Sequence, residues 1–206
     1  MKKLKVVTVL GTRPEIIRLS VIIKKFDQFF DHTLVHTGQN YDFTLNEIFF
    51  EELCIRKPDF FLNVVGQNLG ETMGNVLSKS FTLFNDVKPD ALLVLGDTNS
   101  ALCTISAKRL KIPIFHMEAG NRCYDQNVPE ELNRKIADHT ADINLTYTEN
   151  SRRYLLSEGF RKDHVFCVGT PLKEVLDLYS DKIDNSLILE KLELKKEQYI
   201  VASIHR

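Results

Sequence analysis

The stretch Leu4-Lys5-Val6-Val7-Thr8-Val9-Leu10-Gly11-Thr12-Arg13-Pro14-Glu15 joins a short β-rich run directly to a glycine, then to a basic and an acidic side chain. Such a junction puts charge where a buried parallel strand meets the next helix, the edge at which open α/β sheets bind ligands. An anionic small molecule is the expected occupant of that edge.

The same pattern repeats along the chain. Pro14 suits the first turn of a helix, and Leu19, Ile22, Ile23 and Phe26 recur at helical spacing with Lys24 and Lys25 outside. Residues 33–37 read as a strand ending at Gly38, and residues 68–84 as an amphipathic helix closed by Lys88-Pro89-Asp90. Residues 91–95 are apolar throughout, as expected of a parallel strand covered on both faces, and empty into Gly96-Asp97-Thr98-Asn99-Ser100. Next come a helix at 102–110, a strand at 112–117 and the loop Glu118-Ala119-Gly120-Asn121-Arg122. Pro129 and Glu130 open another helix, followed by a strand at 143–146, a helix at 151–157 and a strand at 165–168 that reaches Gly169-Thr170-Pro171. This alternation predicts a doubly wound α/β domain over residues 1–170. Residues 171–206 read as linker helices, one of them charged and spanning 187–195, and then a strand at 199–204. A lone strand needs neighbours for its edges and faces, so it is taken as the first strand of a second domain that is largely missing.

Lysine and arginine number 27 against 28 aspartates and glutamates, which gives no electrostatic reason to expect nucleic acid or an anionic membrane surface as partner. Cys54, Cys103, Cys123 and Cys167 are widely spaced, without a Cys-x-x-Cys pair, and read as reduced, mostly buried thiols of a cytoplasmic protein. No uncharged apolar stretch reaches membrane-spanning length, and the apolar run near the N-terminus is too short and strand-like for a secretory signal.

Arg13 is the leading phosphate contact, because its guanidinium offers a planar fork and Gly11 permits close backbone approach; Arg18, one turn further on, could face the same edge. The bland alternative is a local Arg13–Glu15 ion pair. Neither Gly-x-Gly-x-x-Gly nor Gly-x-x-x-x-Gly-Lys-Ser/Thr occurs, which disfavours dehydrogenases and nucleoside triphosphatases. Asp97, Glu118 and Glu130 sit at strand ends or a helix start, and carboxylates brought together acquire separated pKa values that let one act as base and another as acid. Asp97 also fits a turn or helix cap. Of the adjacent Glu130 and Glu131 only one can point into a site, and the residues alone favour neither. His205 is a candidate proton handler or phosphate contact, while His116 and His36 sit in apolar runs and equally suit structural roles. No spacing supports a metal site.

Taken in order, Gly11-Thr12-Arg13-Pro14-Glu15, Thr37-Gly38-Gln39, Gly96-Asp97-Thr98, Met117-Glu118-Ala119-Gly120, Pro129-Glu130-Glu131-Leu132-Asn133-Arg134, Gly169-Thr170-Pro171 and His205-Arg206 resemble the non-hydrolysing UDP-N-acetylglucosamine 2-epimerase family. The resemblance implies two Rossmann-like domains in a glycosyltransferase-B-like arrangement with the substrate between them. It implies anti elimination of UDP across C1–C2 to a glycal and re-addition after protonation on the other face, without an oxidising cofactor. Asp97, Glu118 and Glu130 would then manage the C2 proton and the sugar, and Arg13, Arg18 and His205 the diphosphate, with Gln39 as a further substrate contact. The partner implied is a UDP-sugar, and a homodimer is compatible with the family. Arg18 replaces the usual lysine, and residues 120–129 depart from the usual Gly-Leu-Arg-Thr loop. That loop looks more like the branch that converts UDP-2-acetamido-2,6-dideoxy-L-talose to UDP-N-acetyl-L-fucosamine. UDP-N-acetylglucosamine/UDP-N-acetylmannosamine epimerisation, an inactive nucleotide-sugar-binding remnant and a glycosyltransferase of the same architecture stay open as alternatives.

Overall fold

The computed structural model describes residues 2–38 and 43–204. Gln39, His205 and Arg206 therefore lie outside the described residues. The elements run in order β1 (Lys5–Leu10), α1 (Arg13–Phe29), β2 (Asp31–His36), α2 (Phe43–Glu52), β3 (Phe60–Phe61), α3 (Leu69–Val87) and β4 (Ala91–Leu95). After a 3-10 turn at Asn99–Leu102 come α4 (Cys103–Arg109), β5 (Ile114–Met117), α5 (Pro129–Thr140), β6 (Ile143–Thr146), α6 (Glu149–Ser157) and β7 (Val165–Cys167). Three short helices follow, α7 (Leu172–Leu178), α8 (Ser180–Asp184) and α9 (Ile188–Lys191). The strands form one parallel sheet in the order β3-β2-β1-β4-β5-β6-β7.

Alternation along the strands divides the core into two layers. On one face Val7 and Val9 of β1, Leu92 and Val94 of β4 and Ile114 of β5 pack under Val76, Leu83 and Phe84 of α3 and Cys103 and Ala107 of α4. On the other face Leu93 and Leu95, Met117 and Leu34 pack under Ile16, Leu19 and Ile23 of α1 and Phe50 of α2. The uninterrupted apolar run of β4 is thus the signature of a strand with helices on both sides. Beyond α1 that second face is less completely covered. An apolar groove remains there, floored by Leu93, Phe115, Met117 and Leu145 and walled by Ile22 and Phe26.

Local chemistry sets the helix ends. Asn68 accepts from the Glu71 amide at 2.9 Å to start α3, and Lys88, in the left-handed region with φ 51°, ends it. Thr148 starts α6 in the same way, accepting from Ser151 at 3.1 Å.

Four expectations change. Residues 199–204 form no strand ladder among the described residues, and Ile200, Val201 and Ile204 are exposed. The charged helix shrinks to Ile188–Lys191. Only Cys103 is buried; Cys54, Cys123 and Cys167 lie on exposed loops or an edge strand. Finally, α2 and β3 were not foreseen, because β3 is a two-residue edge strand whose pairing, Val35 with Phe60 and His36 with Phe61, is a tertiary outcome.

Phe84 is among the largest fully buried side chains, whereas Phe81, three residues earlier on α3, is exposed. Phe84→Ala is expected to lower unfolding free energy in urea by about 3–5 kcal/mol, and Phe81→Ala by less than about 1 kcal/mol.

Candidate active site

The sheet order reverses direction between β1 and β4, so the loops after these two strands diverge and leave a crevice at their carboxyl ends. Glu15 ties the two loops together. Its carboxylate, buried in the first turn of α1, accepts from the amides of Gly11 at 2.8 Å and Thr12 at 2.7 Å, from the Thr12 hydroxyl at 3.0 Å and from the Thr98 hydroxyl at 2.9 Å. Burial pushes the Glu15 pKa up, and the four donors oppose that push. The ion pair with Arg13 does not form. Arg13 is instead exposed at the start of α1 and engages no other side chain among the described residues, so its guanidinium is available to a ligand anion.

Arg18 meets Glu118 in an ion pair directly above the end of β5. Glu118 occupies the left-handed region with φ 64°, an unfavourable conformation for a residue with a side chain, and one that clusters at functional positions. Burial raises its pKa, Arg18 opposes the rise, and the charge of nearby Asp97 adds to it. The Asp97 charge therefore reaches Glu118, and the two carboxylates share one edge of the crevice.

Asp97 is held by Arg134 of α5, whose Nε and Nη2 both donate to one carboxylate oxygen, at 3.0 and 2.5 Å. Arg134 also donates to Glu131 at 3.0 Å. Glu131 is fully buried, and it accepts from the amides of Cys123 at 3.1 Å and Tyr124 at 3.3 Å, holding the loop that precedes α5. Burial works against its charge, but these amides, the Cys123 thiol and Lys135 bring its pKa down to about 2. Glu130, its neighbour, is exposed in the first turn of α5 and engages no side chain among the described residues. The structure thus gathers Arg13, Arg18, Asp97 and Glu118 at one edge and leaves Glu130 exposed in the first turn of α5.

Beneath these loops lies a second, buried charge network. His116 Nε2 donates to the Gly96 carbonyl at 2.8 Å and Nδ1 faces the Asp138 carboxylate at 2.9 Å. An acceptor facing each ring nitrogen favours the doubly protonated ring. Burial acts against that charge, but the Asp138 hydrogen bond and charge prevail and raise the pKa. Asp138 also accepts from the Gly120 amide at 3.2 Å and from Arg122 at 2.7 Å, and Arg122 forks onto Glu158 at 2.7 and 2.6 Å. His116 is thereby structural, fixing both the loop that carries Asp97 and the loop that follows Glu118. Gly120 itself has φ 79°, and a Cβ there would collide with the Ser151 carbonyl.

The sequence profile of the UDP-N-acetylglucosamine 2-epimerase family matches residues 24–206. The chain belongs to that family. It is 38% identical over 208 residues to a UDP-N-acetylglucosamine 2-epimerase homolog from Methanococcus maripaludis, a match that covers 98% of this chain and 57% of the relative. Its fold superposes on a UDP-N-acetylglucosamine 2-epimerase from Rickettsia bellii with a TM-score of 0.90 at 54% identity, covering 96% of this chain and 53% of that one. The Methanocaldococcus jannaschii enzyme in complex with UDP-GlcNAc and UDP gives a TM-score of 0.86 at 35% identity, covering 91% and 52%. The chain spans a little over half the length of these relatives. Its parallel α/β domain therefore corresponds to one Rossmann-like unit of the larger fold. Among the described residues no helix is long and apolar enough to cross a membrane.

The sequence reading assigns no role to Arg134, Asp138 or Arg122, whereas a structural role for His116 is one of its two readings. The only sequence signal for Arg134 was its place in the Pro129–Arg134 motif, because its partner Asp97 lies 37 residues away.

Two outcomes follow from this geometry. Since Arg18 holds the Glu118 pKa down, Arg18→Gln is expected to move the Glu118 carboxyl titration upward, read by carbon-13 NMR of labelled glutamate. Because the folded state holds the His116 proton more tightly than the unfolded chain, the stability it contributes is complete below the ordinary value of 6.5 and is lost as pH rises through the raised folded value. Urea unfolding of the wild type should therefore weaken with rising pH in that window, and His116→Gln should flatten this dependence.

Proposed function

We propose that this chain carries the first-domain side of a UDP-N-acetylhexosamine 2-epimerase site, with UDP-N-acetylglucosamine and UDP-N-acetylmannosamine as the interconverted pair. The observation that carries the reading is the meeting of Glu118 and Arg18 beside Asp97 at the switch point, proton-handling carboxylates within reach of cations that can face a diphosphate. A carboxylate takes the C2 proton, the C2–H electrons form the C1–C2 double bond, and the C1–O bond breaks with its electron pair leaving on UDP. Protonation of C2 from the opposite side and return of UDP to C1 complete the inversion. Removing a weakly acidic proton calls for a base raised above the ordinary carboxylate range, which burial supplies at Glu118. Departing UDP calls for concentrated positive charge, which Arg13 and Arg18 supply. The exposed Glu130 is assigned to the sugar, and Gln39 and His205 to further substrate contacts. Residues 171–206 lead towards the second Rossmann-like domain in this reading.

The family profile and the M. jannaschii complex support UDP-N-acetylglucosamine more directly than the 6-deoxy-L-talose sugar, whose support is the departure of residues 120–129 from the usual loop. Solvent exchange tests both. In D2O the wild type is expected to place deuterium at C2 of UDP-N-acetylglucosamine and to yield both C2 epimers, seen by proton NMR. Glu118→Gln should slow the exchange by about 10²-fold or more. Faster exchange into UDP-2-acetamido-2,6-dideoxy-L-talose would reassign the substrate, and binding of UDP-sugars with no exchange into either would overturn the epimerase reading.

A further inference from the structure

One buried polar group close to the site has no partner among the described residues. The hydroxyl of Tyr147 is enclosed by protein yet makes no hydrogen bond among the described residues. A buried, unpaired hydroxyl is destabilising, and native proteins rarely keep one without a functional or structural reason. Its position supplies such a reason. Tyr147 follows the end of β6, where Met117 of β5 lies beside Leu145 and the Ala119 amide donates to the Leu145 carbonyl at 3.3 Å. The loops that follow the two strands therefore leave the sheet side by side, one carrying Glu118 and the other Tyr147. Its ring joins the layer formed by Leu10, Ile16, Leu19 and Met117. That layer lies under α1, the helix that brings Arg18 onto Glu118. The hydroxyl also senses both partners, since burial raises its pKa, the Glu118 charge raises it further and Arg18 lowers it.

Arg18 occupies Glu118 in the structure, yet in the proposed reaction the guanidinium is needed on the diphosphate. A carboxylate losing its cation inside a partly buried site must be stabilised by another donor or give up its charge. We infer that Tyr147 is a positioning residue that donates its hydroxyl hydrogen bond to Glu118 once Arg18 turns to the phosphates of the bound nucleotide. In the free protein the bond is absent, and in the loaded site it holds the Glu118 carboxylate ionised and oriented. This inference rests on the proposed UDP-sugar reading, and the experiment separates the two.

The test compares wild type with Tyr147→Phe, using UDP as the probe. For the free chains, the variant should melt at the same temperature as wild type or higher, because the deleted hydroxyl had no partner, and Glu118 should titrate as in wild type. With UDP bound, the variant should bind about five- to ten-fold more weakly and its Glu118 carboxyl should titrate at higher pH than in the wild-type complex. A merely structural tyrosine would not move that titration in the loaded state alone. A lower melting temperature of the free variant would show that the hydroxyl was already paired and would overturn the inference. So would equal UDP affinities and equal titrations in the two complexes. If wild type binds neither UDP nor UDP-N-acetylglucosamine, the UDP-sugar reading falls and the inference with it; binding by wild type with an indifferent variant removes the inference alone.

Discussion

A single buried carboxylate holds the two halves of the ligand edge in register. Glu15 accepts from both the β1 loop and Thr98 of the β4 loop, bridging the point where the sheet reverses its winding. Desolvation disfavours a charge there, and two backbone amides plus two hydroxyls, together with the positive end of a 17-residue helix, make it tolerable. Losing those donors would leave an uncompensated buried anion. With them, the amides of Gly11 and Thr12 are spoken for, and the group of the motif that faces outward is the exposed Arg13 rather than the loop backbone.

Glu15 also explains why Arg13 is available. A local Arg–Glu pair would have been the default at a helix start, worth little at the surface and readily formed. Because Thr98 and the loop amides capture the acidic partner, the basic one is left facing outward. The same division appears at α5, where Glu131 turns in to hold its own loop and Glu130 turns out. At both helices one carboxylate builds the platform while a neighbouring charge stays at its surface.

Much of this was legible in the sequence for a simple reason: strand, polar loop and helix are local patterns. The continuous run of β4 announced two covered faces, and Gly11, Gly96 and Gly120 marked the loops. What was hidden depends on residues distant in the chain. Arg134 reads as one charge among several on a helix until α5 packs beside the β4 loop. His116 was undecidable between structural and catalytic roles until Asp138 and the Gly96 carbonyl were seen to occupy both its nitrogens. The short edge strand β3 and the irregular course of residues 199–204 depend on neighbours rather than on propensity.

The left-handed backbone at Glu118 has a geometric consequence. Along β5, Ile114 and His116 point to the α3 and α4 side, whereas Met117 points to the α1 side, and by that count Glu118 belongs with His116. Its positive φ breaks the count and delivers the carboxylate to Arg18 on the opposite side. A strand residue and the loop residue two positions on thus serve opposite layers: the imidazole braces the loops from below, and the carboxylate stands with the cation above.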